Sequence, residues 1–324
     1  MTLPGAIEEA LCRALAGRGL GTSVERISRV EGGCINHGAR IETDAGIELF
    51  LKWNAAAPAG MFDAEADGLA ALRGAADEAG PRDASSARAV CVPAPLAWHS
   101  ASDGASWLLL EYVAPGRASR GVEERLGRGL AGLHASTSGS ARSPLSATAS
   151  FGWHRDNWIG SLAQPNTPTA TWADFWRDRR LAPQLEGARR HGHFGGGTTG
   201  AVLDRVLDEV PLALADVEHP ELIHGDLWSG NWFGSAGGEP VLIDPAVYRG
   251  HGEVDLAMSE LFGGFGDAFY GAYREAHGIS EAYDAYRRDL YQLYYLLVHV
   301  NLFGASYEAG ALRAAQRVVA GLGG

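Results

Sequence analysis

This sequence has few cysteines, and polar residues interrupt every long apolar run. Only three cysteines occur among 324 residues, and none shows Cys-x-x-Cys spacing. This argues against a disulfide framework and a zinc cluster, so we expect a reducing compartment and a cytoplasmic location. The longest uncharged stretch, residues 290–307, contains Gln292, His299 and Asn301, which hydrocarbon would penalise. We therefore expect a buried helix there and no membrane span.

Basic residues are few as well. The sequence has 27 Lys plus Arg against 39 Asp plus Glu, which gives a formal net charge of −12. A negative balance of this size disfavours a long basic groove for nucleic acid and contact with an anionic membrane surface. A small molecule is the expected partner, without nucleic acid or membrane, and the protein is expected to be a monomer or a homodimer.

The sequence pattern divides into two regions. The first combines helices with short apolar strands until the Pro115-Gly116 pair breaks the pattern, and the second is mainly helical with a β-like block at 223–247. We predict an α+β protein with an N-terminal lobe of residues 1–113 and a C-terminal lobe of residues 114–324. The predicted segments are helices over 7–16, 61–76, 124–134, 172–185, 201–208, 256–262, 269–276 and 282–301, strands over 39–43, 47–53 and 107–113, and mobile surface loops over 135–150 and 192–200.

The chemistry of the sequence concentrates in the β-like block. Asp226 follows a short apolar strand, Asn231 comes five residues later, and Asp244 ends another apolar strand thirteen residues after that. Phosphoryl transfer needs an oriented hydroxyl group and metal ions that neutralise the phosphate oxygens. Asp226 suits the first task as a catalytic base. Asn231 and Asp244 suit the second, because Mg²⁺ takes oxygen ligands and needs few protein groups.

This block resembles the catalytic loop and metal-binding aspartate of the protein-kinase-like superfamily. Pro245 follows Asp244 where protein kinases have Phe-Gly, and only ten residues separate Asp244 from Asp255, too few for a long activation segment. The resemblance is therefore to small-molecule kinases of the aminoglycoside phosphotransferase and choline kinase type. It implies a bilobal kinase-like fold with an antiparallel sheet in the small lobe, a mostly helical large lobe and ATP between them. It also implies structural support of the catalytic loop by Asp255, and His224 is expected to be structural too.

The same resemblance implies that nucleotide-binding residues lie in the first lobe. Lys52 stands within an apolar strand and Glu65 on the following helix, where a lysine contacts phosphates and a glutamate holds its ammonium group. Asp63 and Asp67 are close enough to Glu65 to be alternatives. A glycine-rich loop lets backbone N–H groups approach phosphates, although such a loop is also an ordinary turn. The candidates are Gly32, Gly33, Cys34 and Asn36 in this loop, and Glu111, Tyr112 and Val113 as the hinge that binds the adenine edge.

A finer resemblance, covering nearly the whole chain, is to the fructosamine kinase family, also called ketosamine-3-kinases. Its motifs here are Gly32-Gly33-Cys34-Ile35-Asn36, Lys52 with Met61-Phe62 and Glu65, residues 224–231 with the Trp228-Ser229-Gly230 insert, Ile243-Asp244-Pro245-Ala246, residues 253–258 and 262–265, and the segments 151–160 and 164–166. The resemblance implies ATP-dependent phosphorylation of a ketosamine, typically at O3, in the repair of glycation. In bacterial members the sugar is ribulosamine or erythrulosamine as an alternative to fructosamine.

The acceptor pocket is expected to be polar with aromatic faces. Aromatic rings cover the apolar faces of a sugar and attract a protonated amine, so the candidates are Trp228, Asp156, Asn157 and Trp158. Trp172 and Trp176, by contrast, are expected to fill the core. Two other functions remain open: a kinase acting on an aminoglycoside, a choline-like alcohol or a free sugar, and a nucleotide-binding regulator without turnover. The regulator is disfavoured because the lysine and all three residues of the catalytic block are present.

Overall fold

A five-stranded antiparallel sheet forms the framework of the first lobe. The computed structural model describes residues 3–30, 36–79, 90–100, 106–136 and 150–323. The strands pair in the order β1-β2-β3-β5-β4. They are β1 (Val24–Val30), β2 (His37–Thr43), β3 (Glu48–Asn54), β4 (Pro95–His99) and β5 (Ser106–Glu111). The strands predicted from the apolar runs at 39–43 and 47–53 are confirmed as β2 and β3.

One helix covers each face of this sheet. Helix α1 (Gly5–Arg18) buries Ile7, Leu11 and Leu15, which share one helix face because they are spaced by four residues. Helix α2 (Met61–Ala79) packs on the opposite face. The continuous apolar run in β5 follows from this arrangement, because alternate side chains point to α1 and to α2 and all of them are buried.

The second lobe is mainly helical. Three short antiparallel pairs accompany the helices: β6 (Asn157–Ile159) with β7 (Leu162–Gln164), β8 (Glu221–Ile223) with β11 (Tyr248–Gly250), and β9 (Trp232–Gly234) with β10 (Pro240–Leu242). The helices are α3 (Arg120–Ala135), α4 (Trp172–Phe175), α5 (Ala182–Arg190), α6 (Thr198–Ala213), α7 (Glu253–Leu261), α8 (Asp267–Ala276), α9 (Arg288–Phe303) and α10 (Glu308–Leu322). Short π-helical turns at Trp176–Leu181 and Tyr283–Arg287 lead into α5 and α9, and a 3-10 turn at Ala305–Tyr307 leads into α10. The predicted bilobal α+β fold is confirmed.

Helix α9 explains the long uncharged stretch of the sequence. Its residues from Asp289 to Val298 are buried among the other helices, and Gly304 ends it with a positive φ of 85°. Its polar residues have partners: Gln292 donates a hydrogen bond to the carbonyl of Ala257 (3.0 Å). Among the described helices, none has the length and apolar character needed to cross a bilayer.

Some sequence predictions differ from the structure. The predicted mobile loop at 192–200 is wrong in part, because Phe194 is buried and α6 begins at Thr198. Most of the predicted loop at 135–150 lies outside the described residues. The strand predicted at 107–113 ends at Glu111. The lobe boundary between residues 113 and 114 stays a prediction.

Candidate active site

The loop between β8 and β9 is folded tightly against the chain that follows β10. Gly225 has a φ of 80°, and a Cβ atom at this position would overlap the carbonyl oxygen of Ala246. The Ala246 N–H group donates to the carbonyl of His224 (2.9 Å). Glycine is therefore required before Asp226, because only a residue without a side chain permits both the conformation and the close approach.

Asp255, the third residue of α7, holds the start of this loop. Its two carboxylate oxygens accept the backbone N–H groups of His224 (2.7 Å) and Gly225 (2.8 Å). His134 of α3 donates to the same carboxylate from Nε2 (3.1 Å). Asp255 is fully buried, and these three donors satisfy the charge that burial would otherwise penalise. The Asp255 side chain therefore supports the backbone of the loop just before Asp226.

His224 links the two halves of the catalytic block. Its Nε2 lies 2.9 Å from the carbonyl oxygen of Ile243, while its Nδ1 accepts the N–H group of Asp226 (3.3 Å). These contacts require the proton on Nε2, so the ring is neutral. Burial lowers the pKa of His224, which agrees with this state. The imidazole thereby joins the loop that carries Asp226 to the segment after β10 that carries Asp244.

Asp226, Asn231 and Asp244 meet at one place. The amide nitrogen of Asn231 donates to the backbone carbonyl of Asp226 (2.8 Å) and to its carboxylate (3.1 Å). Asp244 has a φ of 55°, a left-handed conformation that aspartate tolerates better than most residues. Burial and the nearby Asp244 carboxylate raise the pKa of Asp226 to about 7. The site thus carries negative charge that the surrounding protein does not fully neutralise.

The donor set fits a small hard cation. With the nitrogen of Asn231 engaged by Asp226, the amide oxygen is the atom that can bind a metal, and Asp244 supplies a carboxylate beside it. Both are the oxygen ligands that Mg²⁺ prefers. The mutual repulsion between Asp226 and Asp244 is the electrostatic situation that a bound cation relieves.

Lys52 of β3 connects the two lobes at this site. Its ammonium group lies 2.6 Å from Glu65 of α2 and 2.8 Å from Asp244, and its side chain is almost fully buried. Burial alone would lower the pKa of Lys52, but the Asp244 and Glu65 carboxylates reverse the effect and hold it above its ordinary value. The alternatives to Glu65 have other partners: Asp63 accepts from Trp98 and Asp67 from Trp153.

The remaining nucleotide-binding candidates are only partly described. Gly32, Gly33 and Cys34 lie outside the described residues. The side-chain oxygen of Asn36 accepts a hydrogen bond from the amide of Asn54 (3.0 Å).

The predicted hinge begins where β5 ends. The carboxylate of Glu111 accepts a hydrogen bond from Arg73 of α2 (2.8 Å). The backbone N–H group of Glu111 donates to the carbonyl of Ala94. The Arg40 guanidinium lies over the ring of Tyr112, 5.0 Å from its centre. Val113 follows and leads the chain into the second lobe. An adenine-binding role for residues 111–113 stays a prediction.

On the acceptor side, Trp228 is half-buried and lies against Gly230. A Cβ atom on Gly230 would overlap the six-membered part of the indole ring. The glycine therefore allows the ring to fold back over its own loop, two residues after Asp226. Trp172 and Trp176 are fully buried, as expected of core residues.

Two of the predicted substrate residues form hydrogen bonds with other parts of the chain. The carboxylate of Asp156 accepts the N–H group of Asn166 (2.7 Å). The amide of Asn157 donates to the carbonyl of Val247 (2.8 Å) and accepts from Gln164 (2.7 Å). Trp158 is half-buried against the main core. The substrate role predicted for Asn157 is therefore replaced by a structural role, because its amide group is buried and bonded to the protein's own chain. The substrate roles of the exposed Asp156 and of Trp158 stay predictions.

Two further supports of the site have no signal in the sequence. The hydroxyl of Tyr295 donates to the carbonyl of Gly225 (2.7 Å), yet this residue stands in an uncharged stretch whose pattern predicts only an apolar packing role. The contact between Asp67 and Trp153 joins residues 86 positions apart, which no local pattern reveals.

The two-lobed fold, with a buried lysine–glutamate pair facing an Asp–Asn–Asp set, defines an ATP-dependent phosphotransferase of the small-molecule kinase class. The sequence model of the fructosamine kinase family matches residues 11–321, and the chain belongs to this family. The chain is 43% identical over 285 residues to a Synechocystis protein assigned as a probable ketoamine kinase, covering 87% of this chain and 86% of the relative. It is 38% identical over 295 residues to the chloroplastic protein-ribulosamine 3-kinase of Arabidopsis thaliana, and the match covers 91% of this chain and 82% of the relative. A crystal structure from Thermobifida fusca, assigned as a fructosamine-3-kinase, superposes with a TM-score of 0.76 at 34% identity, covering 95% and 97%.

Proposed function

We propose that the protein transfers the γ-phosphoryl group of ATP to the O3 hydroxyl of a ketosamine, with ribulosamine or erythrulosamine as the first candidates and fructosamine as a further one. The observation that carries the proposal is the position of Lys52, whose ammonium group lies within 2.8 Å of both Glu65 and Asp244. The position supports the proposal, because phosphoryl transfer needs a cation for the phosphates beside a carboxylate that can hold a metal ion. The ribulosamine preference draws support from the Arabidopsis relative.

The nucleotide and its metal ion would be held by residues from both lobes. Lys52, oriented by Glu65, would contact the α- and β-phosphates. Asn231 and Asp244 would hold Mg²⁺, which neutralises phosphate charge when bound. The loop of Gly32, Gly33, Cys34 and Asn36 would cover the phosphates, and residues 111–113 would contact the adenine edge.

Asp226 would accept the proton of the acceptor hydroxyl. As the hydroxyl oxygen forms its bond to the γ-phosphorus, the bond to the β–γ bridging oxygen breaks, ADP leaves, and the hydroxyl proton passes to the Asp226 carboxylate. Burial and the Asp244 carboxylate raise the pKa of Asp226 to about 7 in the free protein, and a cation that relieves the repulsion from Asp244 would favour the ionised carboxylate that can accept a proton. Asn231 would keep it in place through the 3.1 Å hydrogen bond.

Trp228 would bind the acceptor. Its ring is held two residues after Asp226, where an indole face can cover the sugar and attract the protonated amine. With phosphate on C3, loss of a proton from C1 would give an enaminol whose electrons form the C2–C3 double bond and a C1 imine as the C3–O bond breaks and phosphate leaves. Water would then hydrolyse the imine and release the amine. This chemistry fits a role in reversing glycation. A cytoplasmic location and a monomeric or homodimeric state belong to the same proposal.

The test is an acceptor screen with purified protein, Mg²⁺ and ATP. ADP formation and the phosphorus NMR spectrum of the product are recorded for ribulosamine, erythrulosamine, fructosamine, a kanamycin-type aminoglycoside and choline. We expect turnover of the ketosamines alone, and a loss of about 10²- to 10⁴-fold in kcat for Asp226→Asn. Turnover confined to the aminoglycoside or choline would replace the proposed acceptor, and ATP binding without transfer to any acceptor would favour the regulator.

A further inference from the structure

The segment from residue 151 to residue 166, here called the brace, contains β6 and β7 and belongs to the second lobe. Its beginning is fixed to β11, since Gly152 and Arg249 exchange two backbone hydrogen bonds (2.9 and 3.0 Å). The N–H group of Trp153 donates to the carbonyl of Asn166 (2.9 Å), which closes the brace on itself. The brace is therefore a fixed part of its lobe.

One end of the brace reaches across to α2 of the first lobe. The indole nitrogen of Trp153 donates to a carboxylate oxygen of Asp67 (2.7 Å), and Nε2 of His154 lies 3.2 Å from the same oxygen. Trp153 is 5% exposed, so the donor of this hydrogen bond is buried, while the Asp67 carboxylate is partly exposed. Asp67 is two residues after Glu65 on the same helix. A contact at Asp67 therefore fixes the part of α2 that carries Glu65.

The middle of the brace reaches the segment that follows Asp244. The amide of Asn157 donates to the carbonyl of Val247 (2.8 Å), three residues after Asp244. The same segment packs directly on α2 at Gly68, where a Cβ atom would come within 3.1 Å of the Val247 side chain. The helix and the segment thus lie as close as a glycine permits.

We propose that the brace is a positioning device for Lys52. Through Trp153 and Asp67 it fixes α2 against the Asp244 segment, so that Glu65 and Asp244 both contact Lys52 before any ligand binds. Trp153 and Asp67 contact neither ATP nor acceptor and act through α2. The inference rests on the proposed function only in that Lys52 binds the ATP phosphates.

The brace holds the helix that brings Glu65 to Lys52. In kinase-like folds this pair must be in place for phosphoryl transfer, and the helix that carries the glutamate is an element that can move. Here a buried indole from the opposite lobe holds that helix. The pair is complete, with 2.6 Å between Lys52 and Glu65.

The test compares Trp153→Phe, Asp67→Ala and the double variant with a matched control. The control is Trp98→Phe, because Trp98 also donates its indole N–H to a carboxylate of α2, that of Asp63 (3.1 Å), but from β4 of the same lobe and with 43% exposure. The readouts are the Kd of Mg–ATP by titration calorimetry, hydrogen exchange of the α2 amides in the free protein, and Tm.

We expect Asp67→Ala to weaken Mg–ATP binding about tenfold, since a hydrogen bond to a charged group is lost. Trp153→Phe should weaken it by a similar or smaller factor, and the double variant should match Asp67→Ala, because Trp153 acts only through Asp67. Exchange of the α2 amides should accelerate in all three. Asp67→Asn, which keeps an acceptor oxygen, should recover most of the affinity, and Trp98→Phe should stay within about twofold of the parent.

A lowered Tm with unchanged Mg–ATP affinity, or additive effects in the double variant, would reduce the brace to a purely structural element and overturn the proposal. The readouts do not depend on the acceptor. If no ketosamine is phosphorylated but the variants show the expected Mg–ATP affinities, the proposed acceptor is wrong and the positioning role of the brace is supported. If ketosamines are phosphorylated but the variants bind Mg–ATP as the parent does, the positioning role is wrong and the proposed function is supported.

Discussion

Lys52 and Asp244 are 192 positions apart in the sequence, and their side chains form an ion pair of 2.8 Å between Nζ and Oδ1. The ammonium group also contacts Glu65, so one buried cation faces two carboxylates. Lys52 is expected to bind the nucleotide, and Asp244 is expected to bind the metal ion. The pair therefore links β3 of the first lobe to the segment that follows β10.

We predict that Lys52→Met destabilises the protein as well as abolishing phosphoryl transfer. Removing one partner of a buried ion pair leaves the carboxylates uncompensated, which costs about 3 kcal/mol in the free energy of unfolding. Urea denaturation measures this loss. The variant Lys52→Met with Glu65→Gln should regain part of the stability and none of the activity. Equal stability of the single variant and the parent would contradict the pairing.

Lys52 is also the only lysine in the sequence, which permits a direct test of its position. An amine-reactive acyl phosphate of ATP should label this residue alone, apart from the chain's α-amino group. Excess Mg–ATP should suppress the labelling. Mass spectrometry of the peptides locates the adduct, and labelling that ATP does not suppress would place Lys52 outside the nucleotide site.

A second prediction concerns Gly225. Because φ is 80° and a Cβ atom would overlap the Ala246 carbonyl, Gly225→Ala should displace the loop that carries Asp226. We expect a loss of about 2 kcal/mol or more in the free energy of unfolding, together with a fall in kcat. Gly74→Ala is the control, since Gly74 lies in α2 with nothing within 4 Å of the added methyl group. That change should raise stability by up to about 1 kcal/mol.

The catalytic block was predictable because its residues are close in sequence and each has a distinct chemical task. An aspartate, an amide and a second aspartate at fixed spacing indicate phosphate chemistry through their residue types alone. Lys52 and Glu65 could be found once the fold was expected. The sequence pattern alone left Asp63 and Asp67 as alternatives to Glu65, because the orientation of the helix decides which of three carboxylates within five residues faces Lys52. In the structure it is Glu65.

The structural role of Asn157 was not predictable for a related reason. A polar side chain that satisfies a buried backbone carbonyl has the same letter as one that binds a sugar, and both stand next to aromatic residues. Helix α10 was missed although its buried residues Ala311, Ala314, Ala315 and Val318 have the i, i+3, i+4, i+7 spacing of a helix face, because three of the four are alanines and not large apolar residues.

A third prediction separates the acceptor from the nucleotide. Trp228→Ala should raise the KM for the ketosamine about tenfold or more and leave the Kd of Mg–ATP unchanged, because the indole would cover the sugar only. Gly230→Ala should have a similar effect, since the added methyl group overlaps the indole and forces it to move. Steady-state kinetics with each substrate varied in turn measure the split. An equal rise in both constants would point to collapse of the loop instead.

The fourth prediction concerns stability as a function of pH, through Glu221 and His277. Their side chains lie 2.6 Å apart, where β8 meets the end of α8. The hydrogen bond to Glu221 raises the pKa of His277 above its ordinary value. Burial alone would raise the pKa of Glu221, but the hydrogen bond from His277 and the nearby His134 lower it to about 2.

The signs of the two shifts define a pH window. Because the pKa of His277 is raised on folding, its contribution is complete below its unfolded value of about 6.5 and is lost as pH rises through the folded value. Because the pKa of Glu221 is lowered, its contribution is complete above about 4.5 and is lost as pH falls toward 2. The pair therefore stabilises the fold most between about pH 4.5 and 6.5.

His277→Gln should remove the decline of stability on the alkaline side of this window. We expect the free energy of unfolding, measured with urea, to change less favourably with rising pH in the parent than in the variant between about pH 6.5 and pH 8, because a neutral amide does not titrate. His219→Gln serves as the control, since His219 is exposed and should leave the parental slope intact. If His277→Gln and His219→Gln gave the same slope, the decline would have to come from other groups, and the ion pair would contribute nothing to it.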